Sequence, residues 1–275
     1  MNRLFTGILA AVAFTTFTGL ASAADIEGKK ITLPSTERAV HVTQFKAPGD
    51  APRPSVLLLH GAGGFDRRLA DYNRYASALA NQGMDAYLVY YYSDTDDKMM
   101  SNGVDVFEQR YAAWAKSVDE LAGYLEKQKD SNGKVGLIGF SNGGILATGA
   151  ATLDPKVTAA VIYYGTDPWP LGTRAKRYPP LLVLHGDADQ VIPVNAGKEL
   201  AAEAKELGAP VELVIYPGES HGFGADFRQE ERHRCAQSQH GIYAQTASGE
   251  IGLTCGAPER KCFGPTPAPR EPRAG

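Results

Sequence analysis

Short apolar segments alternate with longer segments of helical periodicity along most of this chain, and this alternation constrains the fold more than any other feature. Nearly continuous apolar runs are typical of strands that are buried on both faces of a parallel sheet. Residues 29–33 and 39–45 instead alternate apolar with polar side chains, as half-buried strands near a sheet edge do. We therefore predict an α/β fold with a mostly parallel central sheet and helices on both faces. The buried strands are predicted at 55–59, 86–92, 134–138, 157–163, 181–184 and 211–216, and the helices at 69–81, 111–127, 144–153 and 195–207.

The first 23 residues have the composition of an export signal. A charged start, a mostly apolar run and the small residues Ala21-Ser22-Ala23 predict a secretory signal peptide that is cleaved after Ala23. The apolar run is short for a membrane span and is interrupted by threonines, so we expect no stable membrane anchor. The protein is therefore expected to be exported, and to be periplasmic or secreted.

Residues 24–227 are predicted to form a single domain, because α/β folds of this size often surround one sheet. Residues 228–275 differ: the apolar periodicity fades and prolines become frequent, which predicts an atypical, disordered tail. One hypothesis is that the segment after Phe227 is read out of frame. The tail holds all the cysteines, whose spacing does not match a structural zinc site, so we predict no metal there. These cysteines are Cys235, Cys255 and Cys262.

The charge of the chain argues against one class of partner. The formal net charge is -3 and the isoelectric point is near 6.1. A protein that binds nucleic acid usually presents a broad positive field to the phosphate backbone. We therefore expect no nucleic-acid partner.

The strongest local motif is Gly139-Phe140-Ser141-Asn142-Gly143-Gly144, which lies between a predicted strand and a predicted helix. A serine in such a nucleophile elbow takes a strained backbone conformation, and flanking glycines let the strand and the helix approach each other. The alternative is a glycine-rich turn without chemistry. The strand and helix context favours Ser141 as a nucleophile at the carboxyl edge of the sheet.

A serine nucleophile needs a base and a group that orients the base, and in this fold they follow in the order Ser, Asp or Glu, His. The loop after the 181–184 strand offers Asp187 and Asp189, and we favour Asp189 because it directly precedes an apolar anchor. Asp187 is otherwise a turn residue that accepts backbone N–H bonds. His221 follows the next strand and is the predicted base. The remaining strand-end histidines, His60 and His185, are interpreted as loop-bracing residues.

Acyl transfer also requires N–H donors for the oxyanion. The residue after the nucleophile, Asn142, is predicted to supply one at the start of its helix. The second is assigned to Ala62 in the glycine-rich loop 60–64, with Gly63 as the alternative. This loop lacks the spacings of nucleotide-binding loops, which disfavours a phosphate-binding role.

Together these motifs resemble those of the α/β-hydrolase superfamily, and within it the dienelactone hydrolase group. The resemblance covers about residues 29–227 and rests on segments 60–64, 139–144, 186–193 and 220–223. It implies the α/β-hydrolase fold, with Ser141 as nucleophile, Asp189 as orienting acid and His221 as base. Two features depart from the group. Dienelactone hydrolases proper have a cysteine nucleophile, and the segment after Phe227 has no amphipathic stripe for the closing helix of the family.

The predicted reaction is a two-step hydrolysis of a small-molecule ester or lactone, which requires no cofactor or metal. Two alternatives remain open: a serine peptidase of the prolyl-oligopeptidase type, and a non-catalytic binding protein on the same fold. The substrate pocket is expected to involve the loops after the 86–92 and 157–163 strands. The lining residues predicted there are Asp94, Asp96, Asp97, Met99, Met100, Asp167 and Trp169.

Overall fold

Strands and helices alternate along the chain in this computed structural model, which describes residues 25–103, 105–153, 155–224, 242–244 and 253–255. The strands are β1 (Lys29–Leu33), β2 (Val40–Phe45), β3 (Arg53–Leu59), β4 (Asp85–Tyr90), β5 (Ser131–Phe140), β6 (Val157–Tyr163), β7 (Leu181–Gly186), β8 (Val211–Tyr216), β9 (Ile242–Ala244) and β10 (Leu253–Cys255). The helices are α1 (Leu69–Asn81), α2 (Asp94–Ser101), α3 (Phe107–Glu126), α4 (Asn142–Leu153) and α5 (Val194–Glu206).

The first eight strands form one sheet in the order β1-β2-β4-β3-β5-β6-β7-β8. From β4 through β3 to β8 all neighbours are parallel, whereas β2 is antiparallel to both β1 and β4. The two strands with alternating polarity therefore lie at one end of the sheet, as the sequence predicted. The carboxyl ends of the parallel strands meet at one edge, where such sheets carry their ligand sites.

Alternate residues of each central strand point to opposite faces of the sheet, and each face is covered by helix. On one face, Leu57 and Leu137 pack in a core that includes α3, α4 and α5. On the other, Leu58 and Ile138 pack in a core that includes α1. The predicted α/β-hydrolase fold, with a mostly parallel sheet between helices, is thus confirmed.

Helix α2 was not predicted from the sequence, because six of its eight residues are polar or charged and its two apolar residues, Met99 and Met100, are adjacent and form no stripe. It begins with a capping box: the Ser93 side chain accepts a bond from the Asp96 N–H, and the Asp96 carboxylate accepts one from the Ser93 N–H. The Asp96 carboxylate also accepts bonds from Arg110 and Trp114 of α3. Contacts to a neighbouring helix, rather than periodicity, therefore stabilise α2.

The predicted signal peptide lies outside the described residues, as do most of the predicted tail and its hypothetical change of frame. Within the tail, β9 and β10 pair as an antiparallel ribbon that the sequence pattern did not predict. Across the described ranges, every helix is too short or too polar to cross a lipid bilayer.

Candidate active site

Ser141 occupies a sharp turn between β5 and α4. Its φ is 56°, a left-handed conformation that is rare and strained for a residue with a side chain. Two backbone bonds hold the turn: the Ser141 N–H donates to the Tyr163 carbonyl at 3.0 Å, and the Ile145 N–H donates to the Ser141 carbonyl at 3.0 Å. The serine side chain consequently projects at the carboxyl edge of the sheet, where the elbow motif predicted it.

The glycines of the elbow are required by close backbone approaches. A Cβ atom at Gly139 would lie 2.1 Å from the Gly143 carbonyl oxygen, and one at Gly143 would lie 2.2 Å from the Leu59 carbonyl oxygen. Any larger residue would force β3, β5 and α4 apart. The spacing of glycines around Ser141 is therefore dictated by the packing of the turn.

Three side chains from distant loops meet at this edge. The Ser141 Oγ lies 2.8 Å from His221 Nε2, and His221 Nδ1 lies 2.8 Å from Asp189 Oδ2. The Asp189 side chain is fully buried, while that of His221 is 19% exposed. A carboxylate accepts the Nδ1–H, so Nε2 carries the lone pair that faces the serine hydroxyl. This arrangement can take up the serine proton.

The structure separates the two candidate acids. Asp189 Oδ1 accepts bonds from the N–H groups of Val191 and Ile192 at 2.8 and 2.9 Å, which leaves Oδ2 for His221. Asp187 is exposed, and its Oδ1 accepts a bond from the Gly218 N–H at 2.6 Å. Asp187 therefore stabilises a turn, while Asp189 contacts the histidine.

His185 lies closer to the site than its interpretation as a loop-bracing residue suggested. Its buried ring donates from Nε2 to the Ile192 carbonyl at 2.8 Å, and the same nitrogen is 3.5 Å from Asp189 Oδ2. A Cβ atom at Gly197 would lie 2.5 Å from His185 Nδ1. His185 thus holds the backbone of the loop that carries Asp189.

Tyr164 was missed by the sequence reasoning. Its φ is 38°, and its ring centroid lies 4.7 Å from that of His221. The Tyr164 N–H donates to the Leu184 carbonyl at 2.8 Å. Strained residues of this kind often occur at functional sites, but the only sequence signal was a tyrosine at a strand end.

The predicted oxyanion donors lie on either side of the serine. Asn142 is the first residue of α4, whose first N–H groups have no intrahelical acceptor. Ala62 lies in a turn closed by a 3.1 Å bond from the Gly64 N–H to the Gly61 carbonyl. A Cβ atom at Gly61 would be 3.3 Å from the Ser141 Cβ, so this turn borders Ser141.

Tyr92 joins the two predicted oxyanion segments. Its hydroxyl lies 3.4 Å from the Ala62 carbonyl and also bonds the Asn142 side chain. Burial raises the pKa of this phenol to about 12, so it stays protonated at neutral pH. Tyr92 therefore fixes the loop beside Ser141.

The family model for the dienelactone hydrolase family matches residues 39–245, which include all of these loops. The chain belongs to the dienelactone hydrolase family. The matched range runs beyond Phe227, into the segment for which the sequence suggested a change of frame. Membership agrees with the resemblance seen in the sequence motifs.

Two relatives of this family member align with different fractions of its chain. A protein of Yersinia pestis assigned as a carboxymethylenebutenolidase is 25% identical over 220 residues, which cover 70% of this chain and 80% of the relative. A protein of Methylorubrum extorquens with the same assignment is 31% identical over 118 residues, and the match covers 40% of each chain. The second match thus spans less than half of that relative.

Solved structures agree on the fold. A protein of Klebsiella pneumoniae assigned as a dienelactone hydrolase superposes with a TM-score of 0.58 at 21% identity, over 76% of this chain and 95% of the other. An esterase of Pyrobaculum calidifontis superposes with a TM-score of 0.60 at 19% identity, over 78% of this chain and 84% of the esterase. With the family match, the protein is a carboxylic ester hydrolase of the dienelactone hydrolase kind.

His60 of this family member stabilises loop 60–64, the predicted oxyanion loop. The ring is 2% exposed, stacks on Tyr91 at 4.1 Å and has Nδ1 2.8 Å from the Gly61 carbonyl. Burial lowers its pKa from 6.5 to about 4, although the bond to Gly61 opposes this shift. The imidazole is therefore neutral at pH 7, as a loop-bracing residue should be.

This shift makes the stability of the protein sensitive to acid. As the pH falls below 6.5, the unfolded chain protonates His60 while the folded protein does not. The free energy of unfolding should therefore fall, with His60 contributing a loss of about 2 kcal/mol by pH 5. Urea denaturation at pH 7 and pH 5 measures this. Between pH 7 and pH 5, the free energy of unfolding of His60→Gln should fall by about 2 kcal/mol less than that of the wild type. Equal losses in the variant and the wild type would contradict the lowered pKa of His60.

The residues predicted to line the substrate pocket do not share one site in the structure. Asp94 and Asp97 line a cavity, Asp96 caps α2, and Met99 and Met100 pack against the core. Asp167 accepts a bond from the Tyr178 hydroxyl at 3.0 Å. Trp169 is 51% exposed, with the Arg174 guanidinium 4.7 Å from its ring centroid.

Proposed function

We propose that this protein hydrolyses a small-molecule carboxylic ester or lactone through an acyl-enzyme on Ser141. The observation that carries the proposal is the continuous hydrogen-bond chain from Ser141 through His221 to Asp189, with 2.8 Å in each contact. A serine hydroxyl is a weak nucleophile until a positioned base takes its proton. Asp189 and His221 follow Ser141 in the chain order that serine hydrolases of this fold use, which supports their assignment as orienting acid and base.

In the first step, His221 Nε2 removes the Ser141 proton as Oγ attacks the substrate carbonyl. Asp189 accepts the Nδ1–H throughout and stabilises the imidazolium that forms. The negative charge that develops on the carbonyl oxygen would be stabilised by the N–H groups of Ala62 and Asn142, each worth about 3 kcal/mol in comparable enzymes. The imidazolium then protonates the departing alkoxide, which leaves the acyl group on Ser141.

In the second step, a water molecule occupies the position that the alcohol has left. His221 takes a proton from this water as its oxygen attacks the acyl carbonyl, and the same ring returns the proton to Ser141 when the acid is released. For a lactone substrate the alkoxide and the acid belong to one molecule, so a hydroxy acid is the product. Neither step uses a group outside the chain and the water.

The test compares substrates and labels the nucleophile on the purified protein. The proposal predicts hydrolysis of p-nitrophenyl acetate and of a simple lactone, together with labelling of Ser141 by a fluorophosphonate probe, located by mass spectrometry. Cleavage of a short proline-containing peptide without ester hydrolysis would overturn it in favour of the peptidase alternative. A folded protein that is neither labelled nor active would favour the binding protein.

We also propose that residues 1–23 direct export and are then removed, because their composition matches the three parts of a secretory signal. Sequencing the amino terminus of the mature protein checks this. The expected first residue is Ala24, and a mature chain that begins at Met1 would contradict the proposal.

A further inference from the structure

A cavity lies beside loop 60–64, at the end of the sheet that is formed by β1, β2 and β4. Its volume is about 320 Å³, and its walls come from β1, β2, the end of β4, the loop after β3 and the start of α2. Neither Ser141 nor His221 lines it. A cavity of this size is large enough for a small organic molecule.

Aromatic rings form the apolar part of the wall. Phe65, Tyr90 and Tyr92 line the cavity, and the Phe65 and Tyr90 rings meet edge to face with centroids 5.0 Å apart. The Tyr92 ring contacts His60 in the same manner at 4.6 Å. These rings are fixed by mutual packing, so they offer a rigid surface to an apolar or aromatic ligand.

The buried polar group in the wall is a hydrogen-bond acceptor. His60 is 2% exposed and lines the cavity, and its Nδ1–H is used by the Gly61 carbonyl. The neutral ring therefore has a lone pair on Nε2, for which the described residues provide no hydrogen bond. A ligand group that bonds this nitrogen has to be a donor.

The charged side chains around the cavity also favour a ligand with a positively charged donor group. Three carboxylates line it, those of Asp66, Asp94 and Asp97, against the single ammonium of Lys30. Arg38 interacts electrostatically with Asp94, but its guanidinium donates to the carbonyls of Tyr90 and Tyr91. Within the described residues, Asp66 and Asp97 take part in no ion pair. An excess of negative charge remains at the cavity even when Arg38 is counted.

We propose that this cavity binds a small organic cation, with an ammonium group toward the carboxylates and His60 and an apolar or aromatic body against the rings. The site lies directly behind the oxyanion loop, because the Tyr92 ring lines the cavity while its hydroxyl contacts Ala62 and Asn142. Binding there does not depend on the chemistry at Ser141. The proposed cation binding and the proposed ester hydrolysis can therefore be tested independently of each other.

Calorimetric titration with three probes of matched shape tests the site. We expect phenethylamine to bind with a dissociation constant on the order of 1 mM, because the number of non-hydrogen atoms in a ligand limits its binding free energy. Phenethyl alcohol and 3-phenylpropionate should bind at least about tenfold more weakly, because they lack the cation. Equal affinity for the amine and the alcohol would overturn the proposal.

Variants locate the binding. The double substitution Asp66→Asn with Asp97→Asn should weaken phenethylamine binding by about tenfold or more, whereas Asp25→Asn with Asp50→Asn, at exposed positions off the cavity, should not. Circular dichroism checks that each variant is folded, and Asp94→Asn alone replaces the double variant if that one is not. Wild-type affinity in the folded cavity variant would overturn the proposal.

A blocked nucleophile distinguishes this cavity from the ester site. Phenethylamine should bind equally well to the protein before and after treatment with a fluorophosphonate. Loss of binding on treatment would assign the amine to the Ser141 site and overturn the proposal of a second site.

Discussion

Ser141→Ala should lower kcat for p-nitrophenyl ester hydrolysis by about 10⁴- to 10⁶-fold, the range seen when a serine nucleophile is removed from a comparable triad. The physical reason is that His221 Nε2, 2.8 Å from the hydroxyl, has no other group within the triad whose proton it can remove. The residual rate would come from binding and the oxyanion donors. Steady-state kinetics on the purified variant measure the effect.

Ser101→Ala is the matched control for this substitution. Ser101 is exposed at the end of α2 and takes no part in the triad, so its loss should leave kcat within about threefold. Thermal unfolding should show that both variants are folded. Wild-type ester hydrolysis by Ser141→Ala would remove the basis of the proposed acyl-enzyme.

Asp189→Asn should lower kcat by about 10⁴-fold, although the substitution keeps the size of the side chain. An amide that donates to His221 Nδ1 would favour the tautomer with its proton on Nε2, which cannot accept the proton of Ser141. In this orientation the amide oxygen still accepts the bonds from the N–H groups of Val191 and Ile192, so the loop should keep its conformation. KM should change far less than kcat, since the carboxylate does not face the substrate.

Asp187→Asn provides the comparison, because it makes the same chemical change two residues away. Its Oδ1 accepts a single bond from Gly218 at an exposed turn, and an asparagine oxygen can accept the same bond. We expect kcat within about threefold of wild type and a stability loss below about 1 kcal/mol. If the large loss of kcat occurred in Asp187→Asn instead, the roles of the two carboxylates would be reversed.

Much of the fold follows from patterns that act over short distances. A strand buried on both faces needs an apolar run, and a helix on the sheet needs a stripe, so both leave a signal in the sequence. Helix α2 left no such signal, because its stability comes from the bonds of Asp96 to Arg110 and Trp114. Its capping box, Ser93 to Asp96, was the one local sign that could have found it.

The cavity also could not be predicted fully from patterns in the sequence. Asp94 and Asp97 were predicted to line a pocket because they follow a strand that ends at the carboxyl edge of the sheet. They do line a cavity, but one whose other walls come from β1 and β2, which are distant in the sequence and adjacent only because β2 pairs with β4. Such neighbours depend on the order of strands in the sheet, which composition and periodicity do not reveal.

The sequence by itself determined the α/β architecture, the turn at Ser141 and the loops from which an acid and a base would come, since each depends on residues close together in the chain. Only the tertiary structure decided which carboxylate faces His221, that His185 lies beside Asp189 and Tyr164 beside His221, and that Tyr92 connects loop 60–64 to the cavity. Spacing along a loop does not give the direction of a side chain. That direction is set by backbone bonds such as those from Val191 and Ile192 to Asp189, which form only when the strands are in place.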